Sequence, residues 1–352
     1  MKPSTMPDPT SSQLRSRSFA ERLDAPAHVR LPGSHLGLTW RALTREDLPA
    51  FIDLMASTAD SPLGFVPATE RTITYWYDEL TAQPHCSDIL SGWDGQGKLQ
   101  AMACVRVNDK PLSELQAEVT AVVSPDWVGR GIGRALLEWQ DDRARQLLAM
   151  HPSDLPVSIR ALVAERNGSR RRLLAAGGFT PISYITDVTT RTSCEHHEVS
   201  KQARERLAAQ GFTIQPYTAD VDMELRRLHN RLILALERYQ PLSSAAWQAK
   251  LSRADHDFSF LLIKDQQLVG YTLAEQIPEI SALRIYYYGI ERALRRQGIG
   301  TDLMLSVLGP AYDAQISTVA APVVSRQGKV PESLVDHGFA PELREIVYSI
   351  DI

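Results

Sequence analysis

The second half of this chain repeats the first, and that repeat restricts the fold more than any other feature. Thr213-Ile214-Gln215-Pro216-Tyr217-Thr218 echoes Thr39 to Thr44. Phe258 to Ile263, then Lys264-Asp265-Gln266-Gln267, then Leu268 to Leu273, echoes Ser87 to Trp93, Asp94-Gly95-Gln96-Gly97 and Leu99 to Val107. Gly298-Ile299-Gly300 repeats Gly131-Ile132-Gly133, and Gly338-Phe339 repeats Gly178-Phe179. The offset drifts from 174 at Thr39/Thr213 through 167 at Gly131/Gly298 to 160 at Phe179/Phe339. Such a drift marks a duplicated domain that has diverged. With 352 residues, each copy has chain enough to bury its own core.

Within a copy the pattern reads β-α-α-β-β-β-α-β-α-β. In the first, Leu38 to Leu43 alternates as a strand, and Thr44 caps a helix with Leu48, Phe51, Ile52 and Met55 as its apolar stripe. A helix over 69–81, a hairpin from Ser87 to Val107 and a strand from Leu115 to Val123 follow. Gly131 opens a helix with stripe Ile132, Leu136, Leu137 and Trp139. Val157 to Ala164 reads as a strand, 168–176 as a short helix, and Phe179 onward as a final strand pair. The expected organisation is a mobile tail over 1–27, a first domain over 28–190, a linker and helix over 191–210, and a second domain over 211–352. The fold class is α/β (α+β), each domain a mixed, mostly antiparallel sheet with flanking helices.

Charge and cysteine usage exclude several function classes. The net charge of −4 argues against a basic nucleic-acid binder. Three scattered cysteines, Cys86, Cys104 and Cys194, make neither a disulfide framework nor a zinc ribbon, and point to the cytoplasm. Cys194-Glu195-His196-His197-Glu198 reads as a solvated linker, since adjacent residues rarely converge on one ion, so no metal is expected. No apolar run reaches the ~20 residues of a membrane span.

The chemistry-bearing feature is the strand–glycine–helix unit. Helix N-termini present unpaired N–H groups and a partial positive charge, which suit an anion. Glycines there let backbone approach the anion without a Cβ in the way. The first unit is Gly129-Arg130-Gly131-Ile132-Gly133-Arg134 after strand 115–123. The second is Arg295-Arg296-Gln297-Gly298-Ile299-Gly300-Thr301 after Ile285 to Ile290. Gly129, Gly131 and Gly133 have the wrong spacing for a Rossmann turn, and no Walker Gly-Lys-Ser/Thr exists.

These residues resemble the GCN5-related N-acetyltransferases, whose signature is Arg/Gln-x-x-Gly-x-Gly/Ala between the fourth strand and third helix. Arg295, Gly298 and Gly300 match it in full; in the first copy Val128 replaces the Arg/Gln. The family's later Asn-x-x-Ala-x-x-Leu-Tyr-x-x-x-Gly-Phe pattern is met by Asn167, Leu173, Gly178 and Phe179, with Arg170 for Ala and Leu174 for Tyr. In the second copy Gln327 and Leu334 stand at the Asn and Tyr places. The paired layout resembles tandem acetyltransferases of the mycothiol synthase type, in architecture only.

The resemblance implies a splayed fourth strand and acetyl-CoA as acyl donor. The pyrophosphate would lie on the Gly131 and Gly298 helix starts. The pantetheine would pair with backbone at Val122-Val123 or Gly289-Ile290. A backbone N–H there would polarise the thioester carbonyl.

Glu118 is the candidate base, a carboxylate inside the apolar run Ala117 to Val123. Its counterpart is Ile285, so the first copy is expected to be the active one. The second copy offers Tyr288, with Glu275 and Glu279 nearby. Arg170-Arg171-Arg172 could contact a CoA phosphate or form an exposed face, and Tyr75, Trp76, Trp93 and Trp127 read as packing. The resulting expectation is an N-acetyltransferase of a small-molecule amine, monomer or homodimer, with no nucleic-acid or membrane partner. Its rivals are a non-catalytic acetyl-CoA-binding scaffold and a protein N-acetyltransferase.

Overall fold

Alternation in the strands and 3.6-residue stripes in the helices build the same set of elements twice. The protein is described here from a computed structural model covering residues 18–58, 66–108, 111, 113–233 and 241–352. The first copy gives strands β1 (Thr39–Ala42), β2 (Ser87–Trp93), β3 (Leu99–Val107), β4 (Leu115–Val123), β5 (Val157–Ala164) and β6 (Thr180–Arg191). The second gives β7 (Phe212–Pro216), β8 (Phe260–Lys264), β9 (Gln267–Ile277), β10 (Ala282–Ile290), β11 (Thr318–Ser325) and β12 (Ala340–Asp351). Helices Leu48–Ala56, Glu70–Thr81, Ile132–Ala149 and Gly168–Ala176 of the first copy answer to Asp222–Ile233, Ser244–Leu251, Ile299–Leu305 and Glu332–Val335 of the second.

Burial follows the pleat. In β3, Leu99, Met102 and Cys104 pack with Phe51, Leu54, Ile73 and Leu80 from the two early helices. Ala101, Ala103 and Val105, on the opposite face, pack with Leu136, Leu147 and Leu148 of the Ile132–Ala149 helix. A strand covered on both faces reads as a near-continuous apolar run, and β3 does. The hairpin turns use local chemistry. Asp94 Oδ1 accepts from the amides of Gln96 and Lys98 at 2.9 and 3.0 Å. Asp265 and Gln266, at φ +50° and +61°, make the tighter second turn.

The two sheets fuse into one of 12 strands, in the order β1-β2-β3-β4-β5-β12-β6-β11-β10-β9-β8-β7. The last strands are exchanged: β12 pairs with β5, and β6 pairs with β11 and β12. Exchange removes the two inner sheet edges, which would otherwise present unpaired backbone groups. Phe179 onward is accordingly one long strand rather than the expected pair.

One further expectation is corrected. Residues 18–27 are docked rather than mobile. Ser18 and Glu21 form a capping box for Phe19–Arg22, and Leu23 is buried in the first core. Arg145 donates to the Leu23 carbonyl at 2.7 Å and Gln146 to that of Pro26 at 2.8 Å. Residues 1–17 lie outside the described residues. The expected linker and helix over 191–210 is the helix Cys194–Ala209, its Cys194–Glu198 start largely exposed and Ser200, Ala203 and Leu207 buried. Ser200 donates to the Ser306 carbonyl at 3.0 Å, and Arg206 pairs with Asp302 at 2.6 Å.

Candidate acyl-CoA cleft and the chamber beside it

Gly131 and Gly298 are the N-caps of the Ile132–Ala149 and Ile299–Leu305 helices, at φ +86° and +81°. An L side chain is strained in that region, which is why both copies keep glycine. Ile132 and Ile299 are buried in the cores and anchor the turns from below.

The surroundings of the two turns differ. A Cβ added at Gly131 would meet Leu36 Cδ2 at 3.6 Å, whereas one at Gly298 would meet nothing within 4 Å. Arg130 lies over the Trp127 ring at 4.4 Å and donates to the Asp126 carbonyl. Arg295, Arg296 and Gln297 are exposed around Gly298.

The fourth strands also part from their neighbours in both copies. β4 pairs with β5 only from Leu115 to Val119, and β10 with β11 only from Ala282 to Arg284. Past those points the strands splay. In the second copy the gap is a cavity of about 230 Å³ lined by Tyr286 to Ile290, His229, Leu303 and Val324. A groove of about 860 Å³ adjoins it, lined by Arg295 to Gly298, Thr301, Ser333 and His337. Tyr288, Ile290, Arg295 and Gly300 belong to both walls. β10 carries a bulge between Ile285 and Tyr287; the β3–β4 ladder has none.

In the first copy the gap also holds a cavity, of about 210 Å³, lined by Val119, Thr120, Ala161 and Leu162, and one arginine reaches β4 just past it. The Arg170 guanidinium donates to the Ala121 carbonyl, a backbone group exposed by the splay. Burial pushes its pKa down to about 10. The residue at the matching place, at the 160 offset, is Val330, which has no such donor. The expected exposed arginine face is corrected in part: Arg170 and Arg171 are half-buried, and Arg171 donates to the Glu165 carbonyl and to Tyr348.

The remaining candidates fall into place around this contrast. Tyr288 donates to the Pro322 carbonyl at 3.1 Å, bridging the second gap. Gly289 backs onto the Asp222–Ile233 helix, where an added Cβ would meet Leu232 at 2.8 Å. Thr301 bonds Ser333, and Gln297 bonds the Ala293 carbonyl. Gly300 lines the second cleft. Gly133 faces Leu173. Val122 is committed to the core, Val123 packs beside it, and Val128, Gly129 and Arg134 are exposed. Asn167 caps its own helix, accepting from the Arg170 amide at 3.0 Å.

Glu118 sits on β4 directly opposite Arg106 of β3, and accepts from its Nη2 at 2.6 Å. The charge of Glu118 is the largest cause raising the Arg106 pKa. This ion pair replaces the isolated, apolar setting expected from the sequence. Glu118 also borders a chamber of about 370 Å³ between the copies, whose far wall holds His229 and Tyr287. Glu275 is tied to Arg253, with its Oε2 2.6 Å from Nε, and Glu279 pairs with Arg71.

Sequence reasoning missed His229. It is buried, shares a 2.6 Å hydrogen bond with Tyr271, and packs on Tyr287 with ring centroids 4.6 Å apart. Burial pulls its pKa down to about 4. It lines both the acyl cleft and the chamber. Its signal was a histidine on the apolar stripe of a helix, Leu225, Leu228, His229 and Leu232.

Residues 224–326 match the acetyltransferase (GNAT) family. That span runs from the Asp222–Ile233 helix through β11 and contains the open cleft. A GCN5-related N-acetyltransferase from Sphaerobacter thermophilus superposes with a TM-score of 0.67 at 17% identity, over 92% of this chain and 97% of that one. A tandem GNAT protein from the clavulanic acid biosynthesis pathway does so at 0.60 and 18% identity, over 89% and 98%. The N-myristoyltransferase of Saccharomyces cerevisiae, solved with myristoyl-CoA, is similar at 0.59 and 10% identity, over 95% and 86%. No curated protein matches the chain. The fold is that of tandem GNAT proteins, and the part that matches the family lies in the second copy.

Proposed function

We propose that the protein is an acetyl-CoA-dependent N-acetyltransferase of small amines, and that the second copy holds the acyl-CoA. The observation that carries this is the contrast between the copies: the second cavity runs on into a groove at the Gly298 turn, while in the first Arg170 takes up the Ala121 carbonyl of the splayed strand. The residues present suit the donor. The Gly298 turn and Arg295 offer N–H and guanidinium groups to the diphosphate. Backbone of Gly289 and Ile290, past the end of the β10–β11 ladder, is available to pair with an extended pantetheine. The thioester supplies an activated acyl group. In the reaction the amine nitrogen bonds the carbonyl carbon and the C–S bond breaks. Of the two protons leaving an ammonium, one ends on the CoA thiol and one in solvent. Tyr288, at the junction of cleft and groove, would donate to the departing sulfur by turning its hydroxyl from the Pro322 carbonyl.

Turnover tests the assignment. CoA release should be measured with a panel of amines for the wild type, Gly298→Glu and Gly131→Glu. Both variants carry a similar backbone strain, so each controls for the other. Turnover is expected to vanish in Gly298→Glu and to survive in Gly131→Glu. The reverse pattern would return the chemistry to the first copy.

A further inference from the structure

The chamber between the copies has walls of two kinds. Ile233, Leu242 and Ala246 make it apolar on one side. On the other, four charges alternate in sign. Lys250 Nζ donates to Glu79 Oε1 at 2.7 Å, and Arg106 bridges Glu79 at 3.1 Å and Glu118 at 2.6 Å. Glu118 and Arg106 face each other across β3 and β4, Glu79 comes from the Glu70–Thr81 helix, and Lys250 from the second copy. Burying four charges is costly, and a network needed only to join the copies could be closed over by packing. This one faces an open space large enough for a compound of amino-acid size.

The net charge of the wall is zero, but its two ends differ. Glu118 is the more exposed carboxylate, with 39% of its side chain accessible against 26% for Glu79. Lys250 has three donors and gives one to Glu79. A lone ammonium would find a carboxylate here but would also face Lys250. A ligand carrying both charges satisfies both ends.

We propose that this chamber is the acceptor subsite, and that it selects small zwitterions, amines that also carry a carboxylate. The proposal rests on the reading that the second copy holds the acyl-CoA. Glu118 takes the ammonium and Lys250 the carboxylate. His229 and Tyr287, which line chamber and acyl cleft alike, form the passage through which the amine meets the thioester. On this reading the first copy supplies the recognition wall for its twin.

The test uses the full-length protein with saturating acetyl-CoA. Release of CoA thiol is followed with common α- and ω-amino acids, with their methyl esters, and with the corresponding decarboxylated amines. The best free amino acid should exceed its ester and its amine in kcat/KM by about tenfold or more, as one charge-assisted contact allows. Lys250→Met should bring that ratio close to one, through KM, and Lys250→Arg should retain it. Glu118→Gln should lower kcat/KM for acid and ester together. Melting curves check that each variant folds, and the wild-type comparison needs no variant. If acetyl-CoA binds but esters or plain amines match the amino acids, or no amino acid is turned over, the acceptor proposal is overturned alone. If acetyl-CoA does not bind the wild type, the functional reading falls and the proposal with it.

Discussion

Arg170 and Tyr288 stand in matching gaps and separate two copies that began alike. Arg170 satisfies the Ala121 carbonyl of the splayed β4, and on the proposed reading it competes there with a pantetheine. Tyr288 spans its gap from the side and leaves a cavity next to it. His229 beside that cavity makes a separate prediction. Its folded pKa of about 4 lies below the usual 6.5, so the unfolded chain binds its proton first as pH falls. The stability this withholds is lost between about pH 6.5 and 4 and is constant below that window. A shift of this size corresponds to about 3 kcal/mol. Denaturant melts across pH 4–7 should show that loss in the wild type and its reduction in His229→Gln. An identical pH profile for the two would contradict a buried neutral imidazole. Asp47 is a separate case: Arg41 holds its pKa near 2, so its contribution fades only below about pH 4.

At the scale of elements, the segment before β1 is the place where expectation and structure differ most. Leu23 is buried, and two side chains of the Ile132–Ala149 helix hold the Leu23 and Pro26 carbonyls. Burying a leucine contributes about 2 kcal/mol and each hydrogen bond about 1. Removing the chain through residue 27 should therefore lower the melting temperature by several degrees; a truncated protein that melts with the wild type would show the docking to be inconsequential. The segment was missed because its apolar residues, Phe19, Leu23 and Val29, are too few and too widely spaced to show a period. Elements with a strong local cause were legible: the glycine turns need a left-handed residue, and the β2–β3 hairpin carries its own Asp94 turn. Residues whose role depends on register or on distant chain were not. Arg106 partners Glu118 only because β3 and β4 place them opposite one another. Arg170 reads as one of three solvated arginines until Ala121 is brought beneath it.

For the molecule as a whole, the exchange of β6 and β12 makes the two copies one body, with β12 seated between β5 and β6. Cutting the chain at 191 would leave β5 without β12, one of its two neighbours, and β6 without β11 and β12, so the first copy's sheet is not complete by itself. That union also fixes the chamber, since Glu118 and Lys250 can share it only while the copies keep their relative placement. On the proposed reading duplication has produced unlike partners: one copy holds the acyl donor, and the other, its Ala121 carbonyl taken by Arg170, faces the space beside it. The central claim is that asymmetry, and acetyl-CoA titration by calorimetry tests it most directly. The wild type should bind one equivalent, Gly131→Glu should bind one as well, and Gly298→Glu should bind none. Two equivalents in the wild type, or binding that survives Gly298→Glu and disappears in Gly131→Glu, would contradict it.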